Sequence, residues 1–434
     1  MQLFGLERAG TTVRRELLGG LTTFVTVAYI VVVNPAILEA AGIPKGPSMV
    51  ATILTAFLGT LLMGLYANRP FAVAPYMGEN AFVAYTVVGT LGFSWQTALG
   101  AILAGGLLFI LLTVTRLRTA LADAIPRSLK FSFAVGIGLF LAFIGLHDMG
   151  IVREGVAGGP PVQPGDLSNP AALTGVATFV VMALLHLWRV KGAILIAILL
   201  GTGVAFVAGV APLPGAVLAP PPSIAPIAGK VDLAGAMSLS FVNVALVIFI
   251  MDLVDTMGTL IGVSSRAGFL DENGNLPDIE KPMLVDAVAT TVAPLLGTTT
   301  TGAYIESAAG VEAGARTGLA SVVTALLFLV CLFFAPVLTA VPPCAYGPAL
   351  VFVGLLMLSA VVNIPFDRPE ELVPAFAVIA LMSFTFNIGV GMTAGFLLYP
   401  PFMAAAGRIR EVRAGMWVLF ALSAVFFVFY PYGG

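Results

Sequence analysis

Three carboxylates stand where carboxylates are costly. Asp252 and Asp255 fall inside IFIMDLVDTMGTLIG at 248–262, and Glu306 inside LGTTTTGAYIESAAGV at 296–311. Both stretches otherwise read as membrane spans, and an acid kept from water there points to a substrate or ion pathway. Asp252 and Asp255 are three apart, so on a helix they lie on neighbouring positions of one face. Gly258 and Gly262 on the same helix permit a close neighbour. Paired carboxylates in a low-dielectric site repel, which favours holding a proton. Such a group can load a proton on one side of a membrane and release it on the other.

Glu306 adds a different capability. With a helix starting near Gly302, it lies about one and a half turns beyond the run Thr298–Thr301. The end of such a half-helix offers free N–H donors and partial positive charge, with Thr300 and Thr301 beside it. The carboxylate then faces ring N–H donors, and the combination fits a planar heterocycle with donor and acceptor edges. A bare anion would meet repulsion. In the first half, VAPYMGENAFVAYT puts Asn80, a two-way hydrogen-bonding side chain, just after Gly78 at the start of a matching short helix. Glu79 points elsewhere on that helix, and its reading stays open between a site role and a solvated or ion-paired one. Tyr76 and Phe82 read first as packing. His147, Asp148 and His186 read as interface residues, and Thr385 and Asn387 as helix punctuation.

The elements that must hold these residues are membrane spans. The chain is 59% apolar and only 10% charged, with a mean hydropathy of +1.04; a soluble protein would carry roughly 25% charged residues. Apolar runs of about twenty residues recur from end to end. The spans are LLGGLTTFVTVAYIVVVNPAIL, closed by Asn34-Pro35, then 47–66, the peculiar FAVAPYMGENAFVAYTVVG, 94–114, 130–146, 171–188 and 192–212. An irregular loop at 213–236 precedes 239–263, 283–296, the broken segment 297–311, 317–337, 347–362, 373–387 and 388–406. That makes fourteen, with one further apolar run at 415–431 whose crossing is left open. Broken backbone at membrane depth is tolerated only where protein buries it or it lines a cavity. Both interrupted segments are therefore site candidates. The N-terminus lacks the apolar core and cleavage site of a signal peptide, so the first span is expected to stay in the membrane.

Charge placement sets the orientation. With the N-terminus cytoplasmic, seventeen of the twenty Lys and Arg residues fall inside, Arg116 and Arg118 among them, and only Lys45, Arg153 and Lys230 outside. This is a strong positive-inside bias. The halves also correspond: each has its broken polar segment third, with Asn80 and Glu306 226 residues apart, and Pro126 and Pro343, which open the fifth and twelfth spans, 217 apart. Seven spans per half is odd, so the second half is inverted relative to the first. Matched interruptions in an inverted repeat point to a binding site. The fold class is thus an all-α polytopic membrane protein of fourteen segments in a 7+7 inverted repeat.

GENAF after AVAPYM, DLVDTMGTLIG and TTTTGAYIESAAGV resemble the signature segments of the AzgA-like purine permeases, nucleobase–cation symporters akin to the uracil and xanthine permeases. The likeness runs over essentially the whole chain, although many members read GMGLNA where this chain reads YMGENA. The resemblance implies a core domain (1–122 and 237–338), a gate domain (123–236 and 339–407) and a C-terminal segment (408–434). It also implies short antiparallel strands meeting from the third and tenth segments. It makes Gly78 and Asn80 part of the third-span site, Asp252 and Asp255 the eighth-span acidic pair, and Glu306 the purine-binding carboxylate. The implied activity is import of adenine, guanine or hypoxanthine by proton symport across a bacterial inner membrane, with Asp252, Asp255 and Glu306 as proton-coupling candidates.

The alternative is the same architecture with another substrate, a pyrimidine, xanthine or an inorganic anion; the acidic site argues against an anion. An intramembrane enzyme would need histidines at ligand spacing, a cysteine beside a histidine or a phosphate-binding glycine loop, and the spans contain none. Cys331 and Cys344 show no metal-ligand spacing. No cofactor, metal or nucleic-acid partner is expected; the partners are a purine, a proton and the lipid bilayer, and a homodimer is left open.

Overall fold

Thr12 starts the first span by accepting a hydrogen bond from the Arg15 N–H, as a threonine before a helix does. The span runs as helix α1 (Val13–Val27) and, after a tight turn at Ala28–Tyr29, as α2 (Ile30–Glu39). Asn34-Pro35 does not close it, contrary to the sequence reading. Pro35 lacks only the N–H for the carbonyl four residues back, and the helix, buried on all sides, runs on past it to Glu39. The computed structural model describes residues 4–115, 124–156, 158–271 and 276–429. Arg116, Arg118, residues 272–275 between the spans at 239–263 and 283–296, and the last residues of the 415–431 run lie outside the described residues.

The remaining segments of the first half are α3 (Lys45–Leu65), strand β1 (Val73–Pro75) leading into α4 (Met77–Ala81), α5 (Trp95–Val114), α6 (Arg127–Asp148), α7 (Pro170–Leu187) and α8 (Ala193–Val207). Helix α4 continues as a wide π-helix over Phe82–Thr90, a form often found near functional sites. Between α6 and α7 the chain makes a small hairpin, β2 (Val152–Glu154) with β3 (Val162–Pro164), for which the sequence reading had no strand. The second half contains α9 (Leu239–Ala267), α10 (Glu280–Leu296), strand β4 (Thr301–Ala303), α11 (Ser307–Glu312), α12 (Gly318–Cys331, prolonged to Thr339), α13 (Pro343–Leu358), α14 (Pro369–Phe384) and α15 (Ile388–Ala405). Among the described residues, nine helices are long and apolar enough to cross a membrane. The last helix, α16 (Ala414–Phe429), packs on α15 and α9.

Packing repeats the sequence symmetry. α3 lies along α12 and α10 along α5, so exchanging the two halves maps one pair onto the other; α6 and α13, the fifth and twelfth spans, pack on each other across the middle. α7 with α8 corresponds likewise to α14 with α15. Small residues bring the backbones close: a Cβ on Gly145 would lie 2.4 Å from the Gly347 carbonyl. One tie at a helix end crosses the halves, and another closes the second half on itself. Glu16, buried on α1, accepts from the N–H groups of Arg316 (2.8 Å), Thr317 (3.2 Å) and Ala320 (3.3 Å) at the start of α12. Arg408 holds the α15–α16 connection to α14 through Glu370 at 2.6 Å.

Candidate functional site

The two broken segments meet. β1 and β4 run antiparallel with Val73 opposite Ala303, Ala74 opposite Gly302 and Pro75 opposite Thr301, all buried. The pairing continues past both ends: Tyr304 N–H donates to the Ala72 carbonyl at 2.9 Å and Tyr76 N–H to the Thr300 carbonyl at 3.0 Å. Neighbouring hydroxyls satisfy the backbone groups that face outward. Thr60 bonds both N–H and C=O of Val73, Ser307 accepts from Ala72, and Thr290 serves the N–H and C=O of Thr301. Every such group must find a partner in a dry interior, which is why threonines and serines line this crossing. The rings of Tyr76 and Tyr304 stack with centroids 6.2 Å apart, and the Tyr76 hydroxyl reaches Thr259 of α9 at 3.0 Å. The Tyr304 hydroxyl bonds the Pro75 carbonyl. Gly302 is required here, because a Cβ would fall 2.1 Å from the Tyr76 ring.

One sequence expectation fails at this point. The helix of the tenth segment starts at Ser307, not near Gly302, and is only six residues long. Glu306 is its N-cap residue, and the backbone around Thr300 and Thr301 is taken up by the strand pairing. The four threonines are β-branched and fit an extended strand better than a helix, and Gly297 (φ 98°) ends α10 immediately before them.

The acids fall into two places. Glu79 is fully buried and turns toward Asp255 of α9, not toward solvent. No other described residue donates a hydrogen bond to its carboxylate; the group it faces is itself a carboxyl. Asp252, one helical turn before Asp255, and Asp286 of α10 are the next acidic neighbours. Thr256 stands between these two, 2.9 Å from Asp286 and 3.5 Å from Asp252. It has one proton to give, so the shorter contact takes it. Asp252, Thr290 and Thr300 line a recess against Gly105 and Gly106 of α5 that has no room for a water molecule. Asp255 opens the other way: it is partly exposed, and a Cβ on Gly258, one turn on, would meet nothing within 4 Å. Gly258 therefore borders open space and admits no close neighbour there, contrary to expectation. Gly262 faces only Ile305, 3.8 Å from an added Cβ.

Glu306 holds the second place. Tyr29, at the kink of the first span, donates to its Oε1 at 2.7 Å, and Thr26 reaches its carbonyl at 3.4 Å. The carboxylate stays partly exposed, so a ligand N–H can approach it. Tyr304 lies within electrostatic range of Glu306, Glu79 and Asp255 and thus sits between the two places. Asn80 faces away from the acids. Its amide donates to Asn34 Oδ1, and Asn34 donates in turn to Thr52 (2.7 Å) and Thr298 (3.1 Å), a buried network behind the crossing. Gly78 lies against α6, where a Cβ would stand 2.8 Å from Ile137. The structure thus gathers Asp252, Asp255, Thr300, Thr301 and Glu306 around one strand crossing, with Gly78 and Asn80 on its far sides. Sequence reasoning missed Tyr29, Asp286 and the direction of Glu79. Asp286 carried the same signal as the others, an acid within an expected span; Tyr29 carried none.

An inverted-repeat bundle of membrane helices, with two broken segments crossing beside buried acids, is the architecture of a membrane transporter. Over residues 14–428 the sequence matches the model of the Permease family, Xan_ur_permease, and the chain belongs to that family. It is 41% identical to the adenine permease AdeQ of Escherichia coli over 98% of this chain and 95% of that one. It is 37% identical to the guanine/hypoxanthine permease PbuG of Bacillus subtilis (98% and 99%), and 44% identical to a putative permease of Methanocaldococcus jannaschii (99% and 97%). The sequence resemblance to purine permeases is thereby borne out, and the chain is a permease rather than an enzyme. Among solved structures, the transmembrane domain of the cyanobacterial bicarbonate transporter BicA superposes with a TM-score of 0.66 at 17% identity, covering 88% of this chain and 96% of that one. SLC26A9 superposes with 0.62 at 10% identity, covering 88% and 64%. These share the 7+7 inverted-repeat fold, which is the fold expected from the sequence.

Proposed function

We propose that this permease carries purine nucleobases (adenine, guanine or hypoxanthine) into the cell together with a proton. The observation that carries the reading is Glu306: a carboxylate oriented by Tyr29, partly open, at the meeting point of the two broken segments. A carboxylate accepts from ring N–H groups, and the names of the full-length relatives support a purine as the donor. Glu79 and Asp255 add negative charge nearby, which disfavours an inorganic anion even though the fold is shared with a bicarbonate transporter. Asp252 and Asp255 are the proton-coupling candidates on α9, with Glu306 on the tenth segment.

In this reading the core (1–122 and 237–338) rocks against the gate (123–236 and 339–407), and the strand crossing travels with the core. The extensive packing of α3 on α12 and of α5 on α10, and separately of α6 on α13 and α14, supports that division. The positive-inside bias supports a cytoplasmic N-terminus in a bacterial inner membrane. Glu306→Gln replaces one acceptor oxygen by a donor. It should lower uptake of labelled adenine, guanine and hypoxanthine by about tenfold or more, the worth of a hydrogen bond to a charged group, with the protein still inserted. Wild-type uptake by an inserted Glu306→Gln protein would refute the site.

A further inference from the structure

Glu79 has no place in the purine contact just described. It sits at the start of α4, fully buried, and no other described residue donates a hydrogen bond to either carboxylate oxygen. A buried carboxylate of that kind is costly in a transporter core unless it carries a proton. Its neighbours are one-sided. α9 presents Asp255 directly and Asp252 a turn away, α10 presents Asp286, and Tyr76 and Tyr304 close the strand side. On either side of Glu79 in α4, Asn80 is engaged with Asn34 of α2 and Gly78 lies against Ile137 of α6. No basic side chain stands beside Glu79 or Asp255 among the described residues. Two facing carboxyls can bond each other only by sharing a proton.

We infer that Glu79 and Asp255 together form the seat of the transported proton, a single proton held between the two carboxyls across the α4–α9 contact. This deepens the symport reading and rests on it. Asp255 is partly exposed and borders the open space at Gly258, so it is the member that meets water; Glu79, fully buried, is the member that holds. The step balances as a transfer of one proton. It arrives from the outer water onto Asp255, bridges to Glu79, changes the charge of the pair from minus two to minus one, and leaves by Asp255 to the inner water. Because α4 and β1 are one broken segment paired to β4, the charge of this pair bears on the strands that lead to Glu306.

The test uses the whole protein in proteoliposomes, with labelled adenine and labelled guanine in parallel. Two readouts are taken: accumulation driven by an inward proton gradient, and exchange of labelled for unlabelled base with no gradient. Glu79→Gln is expected to keep exchange, to lose gradient-driven accumulation, and to flatten the pH profile of uptake. Asp255→Asn should do the same, and Glu79→Asp should recover part of the accumulation. Should Glu79→Gln fail to insert, Asp255→Asn and Glu79→Asp carry the same comparison. Gradient-driven accumulation by Glu79→Gln at the wild-type level overturns the proposal alone. Exchange lost in step with accumulation in every variant also overturns it, as a structural role would predict. A wild type that exchanges purines but ignores the gradient removes proton symport, and this proposal with it.

Discussion

An acid in a membrane interior is useful when its neighbours fix its direction and its proton. Tyr29 does the first for Glu306, through a 2.7 Å bond to one oxygen from the kink of the opening span. Tyr29→Phe keeps the ring and removes that bond. It should weaken purine uptake by about tenfold, or about 1.4 kcal/mol, seen as a raised KM for labelled adenine with the protein level unchanged. An unchanged KM would mean that Glu306 is held by something else. Two like charges about 4 Å apart at an effective dielectric near 20 repel by about 4 kcal/mol, which is why Glu79 facing Asp255 invites a shared proton. Asp252, Asp255 and Glu306 were legible because an ionisable residue in an apolar run stands out in one dimension. The partners were not. That Tyr29 reaches Glu306 across 277 positions, and that Glu79 turns to α9 while Asn80 turns to Asn34, are facts of tertiary packing with no local signature.

Among the elements, the broken third and tenth segments were visible from proline, glycine and threonine at membrane depth, but the lengths of their pieces were not. A strand of three residues is defined by its partner, and Thr301–Ala303 finds that partner more than two hundred residues away. Threonine is acceptable at a helix start and favourable in a strand, so the sequence placed the helix about one turn too early. The helix ends also hold the halves together. Glu16 takes three N–H groups at the start of α12; Ala320 also reaches the Thr317 carbonyl, while those of Arg316 and Thr317 are the first-turn donors a helix leaves over. Glu16→Ala should cost about 1–3 kcal/mol per buried group left unsatisfied, read as a lower thermal midpoint of the solubilised protein. A midpoint equal to the wild type would show that water or another side chain serves those groups.

The whole molecule was the most legible level, because hydropathy and repeat spacing are summed over many residues and tolerate local error. Asn34-Pro35 does not end its span, yet the count of fourteen segments is unaffected, since the helix continues through Pro35 to Glu39. The paired packing of α3 with α12 and α10 with α5 is the three-dimensional form of the 226-residue offset. At this scale the proposal to be tested is that purine movement and proton movement are a single event at the strand crossing. The direct measurement is uptake of labelled adenine, guanine and hypoxanthine into proteoliposomes, with and without an inward proton gradient, alongside the pH change it produces. Coupled transport predicts accumulation above the outside concentration, matched by proton entry and collapsed by a protonophore. Purine uptake that only equilibrates, with no proton entering, would contradict it.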